Sequence, residues 1–304
     1  MKPNKAIPHM WLLAIYFLSI SNLTLSQEPA RPSPGVKEVS KGIFMITKFG
    51  CNIGVIVGKE GLLIIDTGMS ENSEITDSVI STISDLPVKY VFNTHFHFDH
   101  VGGNKKLAEN GAIILAHDST RQWMTVALDL PEIGGIKVPV TPPFSFEYLP
   151  MICFHDSLNI YFNDDVIRCN NYTKAHSGSD AICYMGNANI LFTGDLFLPA
   201  GLPLLDKYKG GSIDGYISAV KKLYNQCDDK TIIIPGHGPV SNRQALLEYG
   251  EMLSIERERI VSLMKEGKTL DEIINTEPLQ GLRKKMDKMA RAFVTMVYQE
   301  LSGK

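Results

Sequence analysis

The 304 residues carry 44% hydrophobic and 21% charged side chains, an ordinary globular balance with enough apolar material for one large domain or two modest ones. A formal charge of −3 argues against a dedicated nucleic-acid binder, which would show a basic stripe, and no long charge run or low-complexity tract appears. The composition leaves a small-molecule substrate as the expected partner.

At the N-terminus, Lys2 and Lys5 precede an apolar run over residues 11–20, with Thr24 and Ser26 as small residues before Gln27. This layout predicts a secretory signal peptide over residues 1–26, because the run is shorter than the roughly 20 residues that span a bilayer. The expected location is therefore exported, periplasmic or secreted, with no stable membrane anchor after cleavage. A linker over 27–38 contains Pro29, Pro32 and Pro34; a catalytic domain is expected over 39–242 and a helical region over 243–304.

Three short strands are predicted over 42–47, 52–57 and 61–66, with a hairpin turn at 58–61. A helix follows over 73–84 with Asn72 as its N-cap, then a buried strand over 88–93, a short helix from Gly102 to Glu109 and a strand over 112–116. Residues 119–147, rich in Pro and Gly, read as a helix plus a loop. Further strands are predicted over 154–162, 166–170, 181–185, 190–193 and 232–234, and a helix over 213–224 with Ser212 as N-cap. One long helix covers 243–265, and Thr269 with Glu272 forms a capping box. Leu282, Met286, Met289, Phe293 and Met296 make an apolar stripe on a final helix, a core face or a homodimer surface. The five cysteines (Cys51, Cys153, Cys169, Cys183 and Cys227) match no zinc-ribbon spacing and read mostly as small buried hydrophobes.

The chemistry concentrates in Thr94-His95-Phe96-His97-Phe98-Asp99-His100, just past a buried strand. Imidazole and carboxylate are the groups that zinc takes where sulfur is absent. Alternation along an extended chain lets His95 and His97 point the same way, and the following turn aims Asp99 and His100 at a second point. His176, Asp195 in Gly-Asp, and His237 in Gly-His-Gly each follow a predicted strand, so their side chains can converge at a sheet edge.

His-x-His-x-Asp-His, a lone His, Gly-Asp and Gly-His-Gly together resemble the metallo-β-lactamase superfamily over about residues 40–240. The resemblance implies a four-layer αββα sandwich, here with a C-terminal helical extension, and two zinc ions, with iron or manganese as other metals. It implies one metal on His95, His97 and His176, a second on Asp99, His100 and His237, and Asp195 bridging both. Asp99 would be the catalytic residue, orienting the nucleophile and passing a proton, and Asp66 would support the site from behind its ligands. The implied activity is hydrolysis of a lactone, ester or β-lactam. The other readings are a glyoxalase II-like thioesterase and a mononuclear iron enzyme resembling persulfide dioxygenases, which would use His95, His176 and Asp195. Leu198 stands where lactamases with a Cys ligand place a carboxylate-anchoring Lys. Phe96, Phe98, Phe197, Leu198, Pro203 and Leu204 are candidate walls of an apolar pocket, Lys207 and Lys209 candidate anion attractors, and Asp180 a candidate contact of a ligand.

Overall fold

The computed structural model describes residues 35–199, 201–279 and 287–303. The expected signal peptide, most of the linker, and Leu282 and Met286 of the apolar stripe lie outside them.

Seven strands form the first sheet in sequential order: β1 (Gly35–Ser40), β2 (Ile43–Phe49), β3 (Cys51–Val57), β4 (Leu62–Ile65), β5 (Val88–Asn93), β6 (Ile113–His117) and β7 (Ile152–Phe154). The first four pair antiparallel through short turns; from β4 to β7 the pairing is parallel. Parallel neighbours need crossovers, supplied by α1 (Ser73–Ile83), α2 (Phe98–Val101), α3 (Asn104–Glu109) and α4 (Asp118–Met124). The second sheet holds β8 (Ser157–Phe162), β9 (Asp165–Asn171), β10 (Ala181–Met185), β11 (Ile190–Gly194) and β12 (Ile232–Pro235), with β11 and β12 parallel. Around it lie α5 (Ile213–Gln226), α6 (Arg243–Lys265), α7 (Leu270–Asn275) and α8 (Lys288–Ser302).

Period-two alternation sets the layers. In β4, Leu63 and Ile65 join Phe92, Ile190, Phe192 and Ile234 in a core between the sheets. Leu62 and Ile64 face the other way, onto Val79 and Ile80 of α1 and Leu107 of α3. In the second sheet, Leu191 and Ile233 face outward onto Val220, Leu246 and Phe293 of the helices. Helices, sheet, sheet and helices are thus four layers, as the αββα expectation requires. Gly54 admits the ring of Phe192 between the sheets: a Cβ there would lie 2.5 Å from Phe192 Cε1.

Four local expectations change. The run 154–162 is two strands in different sheets, because the chain leaves the first sheet at Phe154 and enters the second at Ser157. Asn72 makes no side-chain cap; a single 3₁₀ turn, Ser70–Asn72, feeds α1 instead. The predicted 102–109 helix is preceded by a separate one-turn helix, α2, that carries Asp99 and His100. Gly35–Ser40, partly within the stretch read as linker, is an edge strand. Ser212 does cap α5, accepting from Gly215 N, and Thr269 with Glu272 forms the reciprocal capping box. Phe293 and Met296 of the stripe are buried in the protein's own core. All five cysteines are free thiols, and four are buried.

Candidate metal centre

The structure brings all seven sequence-predicted ligands to one edge of the sandwich. His95, His97, Asp99 and His100 follow β5 of the first sheet; His176, Asp195 and His237 follow β9, β11 and β12 of the second. They fall into two sets. His95, His97 and His176 offer ligand atoms within 4.8 Å of one another, and so do Asp99, His100 and His237. Asp195 stands between them. Its Oδ2 is 3.6 Å from His176 Nε2 in the first set, and its Oδ1 is 3.2 Å from His100 Nε2 and 3.4 Å from His237 Nε2 in the second.

Hydrogen bonds on the far side of His95, His97 and His100 decide which of their nitrogens faces inward. A neutral imidazole has one N–H and one lone pair, so the donor assignment fixes the acceptor. His100 donates from Nδ1 to Asp66 Oδ2 at 2.8 Å, and His97 from Nε2 to Asp206 Oδ2 at 3.1 Å. Thr94 spends its hydroxyl proton on Asp66 Oδ2 at 2.7 Å, so its oxygen accepts from His95 Nδ1 at 3.1 Å. The inward atoms His95 Nε2 and His97 Nδ1 are then lone pairs 3.1 Å apart, and His176 Nε2 lies 3.0 Å from His97 Nδ1. Lone pairs that face each other repel unless a cation or proton stands between them. Asp195 Oδ1 and His176 Nδ1 are also buried with no hydrogen-bond partner among the described residues. Convergent lone pairs beside an unsatisfied buried carboxylate oxygen are a donor set that a zinc-like cation fits.

The electrostatics agree. Burial holds His95 well below the ordinary histidine range and pulls His176 down to about 4, so both rings are neutral ligands at neutral pH. In the second set, the charge of Asp195 pushes His237 up to about 10 against the cost of burial. Burial disfavours charge on Asp195, but His237 and His100 overcome it and hold the carboxyl well below its usual range. Positive charge is thus demanded where protons or a metal can supply it.

Backbone close approaches position the loops. Gly236 donates to Gly194 O at 2.7 Å, and a Cβ on Gly236 would lie 2.1 Å from Asp195 Oδ1. Gly211 packs against His176, where a Cβ would meet the carbonyl oxygen at 2.4 Å. Asn52, from β3 of the first sheet, donates to both Pro235 O and Gly238 O at 2.8 Å and so pins the strand end that carries His237. Tyr216 donates its hydroxyl to the backbone oxygen of Asp195. Asp66 itself holds a left-handed backbone, φ +59°, unusual for a residue other than glycine and a form of strain that marks functional sites.

Asp206 and Asn52 escaped sequence reading, because each acts through a tertiary contact with no local signature. Asp180 closes its own turn, accepting from Ser177 N at 2.8 Å and Ser177 Oγ at 2.6 Å, and burial pushes its carboxyl up to about 7. The Cys51 thiol lies with Asp66 and His100, their side-chain atoms within 4.8 Å of one another, a placement beyond that of a small hydrophobe.

A cavity of about 350 Å³ opens on this edge, lined by His97, Asp99, His176, Asp195 and His237 on one side. Of the expected apolar walls, Phe98, Leu198 and Leu204 line it. Phe96 instead packs against Trp123, Phe197 against Tyr249, and Pro203 is absent from the lining. Ile133 and Ile136 from the irregular 125–145 segment, and Met289 and Met296 of α8, complete the wall. Lys209 stacks over Trp123 and Lys207 over Tyr208, and neither reaches the cavity; Lys137 does.

The family model described as "Metallo-beta-lactamase superfamily" matches residues 46–151 and 154–237, more than half of the sequence. The chain belongs to the metallo-β-lactamase superfamily. It is 21% identical to the metallo-beta-lactamase type 2 of Bacillus cereus over 72% of this chain and 82% of that protein. It is 23% identical to the linear primary-alkylsulfatase of a Pseudomonas sp., over 72% of this chain but 48% of that one. The sec-alkylsulfatase Pisa1 from Pseudomonas sp. shares the fold at a TM-score of 0.67 and 18% identity, covering 88% of this chain and 50% of that chain. The chain therefore spans about half the length of these alkylsulfatases. These relatives are hydrolases, a lactamase and two alkylsulfatases.

Proposed function

We propose that this superfamily member is an exported, zinc-dependent hydrolase of carbonyl substrates, lactones or esters, that carry an apolar group. His95, His97 and His176 would hold one zinc, Asp99, His100 and His237 the other, and Asp195 would face both. Two zinc ions bound there would supply Lewis acidity and a water acidified enough to act as nucleophile near neutral pH. The completeness of the second set, Asp99, His100 and His237, supports two metals over the mononuclear iron reading.

The observation that carries the substrate class is the cavity wall. Leu198, Leu204, Ile133, Ile136 and Met296 present apolar surface next to the cluster. Burying each substrate methylene against such a wall is worth about 0.8 kcal/mol. A β-lactamase must hold the drug's carboxylate, a charge-assisted contact worth about 1.5–3 kcal/mol; Leu198 offers none, and Lys137 is the one lysine of the cavity lining among the described residues. Asp99 is our choice for the proton work, a reading supported by its place in the cavity lining and by the 3.3 Å from its Oδ2 to His237 Nε2. From there it orients the attacking water and accepts its proton at Oδ2.

The test is a hydrolysis screen of the zinc-loaded protein against an apolar lactone, an apolar ester, a thioester, an alkyl sulfate and a penicillin. The lactone or ester should give the highest kcat/KM. Turnover of the penicillin at about 10⁴ M⁻¹s⁻¹ or more, with lactone and ester inert, would reverse the assignment.

A further inference from the structure

Beneath the centre, Cys169 in β9 and Cys183 in β10 are direct partners across an antiparallel strand pair. Both are fully buried free thiols, and their sulfurs lie 2.9 Å apart. Opposed residues of an antiparallel pair have Cα atoms about 4.5 or 5.5 Å apart, and both spacings fall within the roughly 4.4–6.8 Å that a disulfide bridges. Closing this pair needs no movement of the strands.

What the two strands carry makes the pair consequential. The segment joining them, residues 172–180, presents His176. Tyr172 donates to Asp180 O at 2.7 Å and Lys174 to Ser177 O at 3.0 Å, while the Asp180 carboxylate holds Ser177. All these contacts lie on the loop side of the cysteine pair.

The geometry points to a Cys169–Cys183 disulfide that clamps the base of the loop presenting His176. The oxidant is an external disulfide, either glutathione disulfide or the disulfide form of a thiol oxidoreductase. One cysteine thiolate attacks a sulfur of the reagent, forming a mixed disulfide and releasing one reagent thiolate. The second cysteine thiolate attacks the cysteine sulfur of the mixed disulfide, releasing the other. Two cysteine thiols and one reagent disulfide thus become one protein disulfide and two reagent thiols, which take up the two cysteine protons. Burial between the sheets pushes the Cys183 thiol far up and bars the reagent. The exchange therefore belongs to folding, before the sheets close.

The full chain would be refolded with zinc in a glutathione redox buffer and, separately, in excess dithiol. Free thiols are then blocked with iodoacetamide in denaturant and the chain digested without reduction. After redox refolding, Cys51, Cys153 and Cys227 should be alkylated and one linked peptide should join Cys169 to Cys183. Five alkylated cysteines, or a link through another cysteine, would overturn the proposal. Stripping of zinc by a chelator should be several-fold slower from the oxidised form; equal rates would overturn the clamp. Cys169→Ser combined with Cys183→Ser should strip alike after either refolding, and a persisting difference would also overturn it. The clamp rests on the zinc reading, but linkage is scored without metal. Failure of the disulfide and failure of the zinc assignment therefore give different results.

Discussion

Asp66 and His100 form a buried carboxylate–imidazole pair at 2.8 Å, in which one oxygen of Asp66 fixes the ring while the other accepts the backbone N–H of Thr94. The pair orients His100 without touching the cavity. Removing such a support costs about 10–100-fold in metal affinity or activity. Asp66→Ala should lower kcat by that factor and weaken zinc at the His100 set, measured by chelator titration and steady-state kinetics. Unchanged values in a folded variant would remove Asp66 from the site.

Asp206 plays the same part for His97, and its Oδ1 also accepts from Lys209 N at 3.1 Å. Asp206→Ala should release the first zinc about 10–100-fold more readily while leaving the second nearly unchanged. Stepwise competition with a chromogenic chelator resolves the two, and equal weakening of both would contradict the separate assignment.

Gly236→Ala tests the close approach over Asp195. Its Cβ would lie 2.1 Å from Asp195 Oδ1, so the carboxylate must move. A misplacement on the order of 1 Å costs about 100-fold in rate. The variant should keep its far-ultraviolet circular dichroism and lose activity by about that factor.

Metal removal should destabilise the fold, because the inward lone pairs and carboxylates then lose their shared cation. At free zinc about 100 times Kd, binding contributes about 2.7 kcal/mol. Calorimetry in chelator against calorimetry in zinc should show a concentration-dependent rise in Tm. A Tm indifferent to zinc would argue that the cluster holds no metal.

His117 predicts a pH effect away from the centre. Its Nε2 donates to His155 O at 2.8 Å, and its Nδ1 accepts from Ser119 N at 3.1 Å, capping α4. Accepting that bond requires the neutral ring, and burial accordingly holds His117 below the ordinary 6.5. With the folded value depressed, the unfolded chain binds more protons just below 6.5. This contribution is therefore complete above that value and lost as pH falls through the folded one. His117→Asn keeps an N-capping oxygen without the titration. The stability difference, wild type minus variant, should shrink on going from about pH 7.5 to 5. Parallel profiles would refute the assignment.

The strands were legible because a short apolar run such as Leu62-Leu63-Ile64-Ile65, bounded by turn residues, marks a strand buried on both faces, whereas the four layers came from the family resemblance. The cluster was legible because four members crowd into residues 95–100 and the other three each follow a predicted strand. What stayed hidden depends on distant partners. Nothing near Asp206 announces His97, 109 positions away, and nothing near Asn52 announces Pro235, 183 away. The break at His155 and Asp156 was masked because apolar residues flank it on both sides. The wall from Ile133 and Ile136 lies in a segment with no regular period, so only packing reveals it.

Because four of the seven cluster residues follow the first sheet and three the second, neither sheet alone contains the set His95, His97 and His176. Until the two sheets dock, His176 cannot meet His95 and His97. Contacts between residues so far apart in sequence form late and slowly, and ligand convergence waits for the sheets to dock. Metal capture is therefore a reporter of the last assembly step: a zinc-sensitive dye competing during refolding would time the meeting of the two halves.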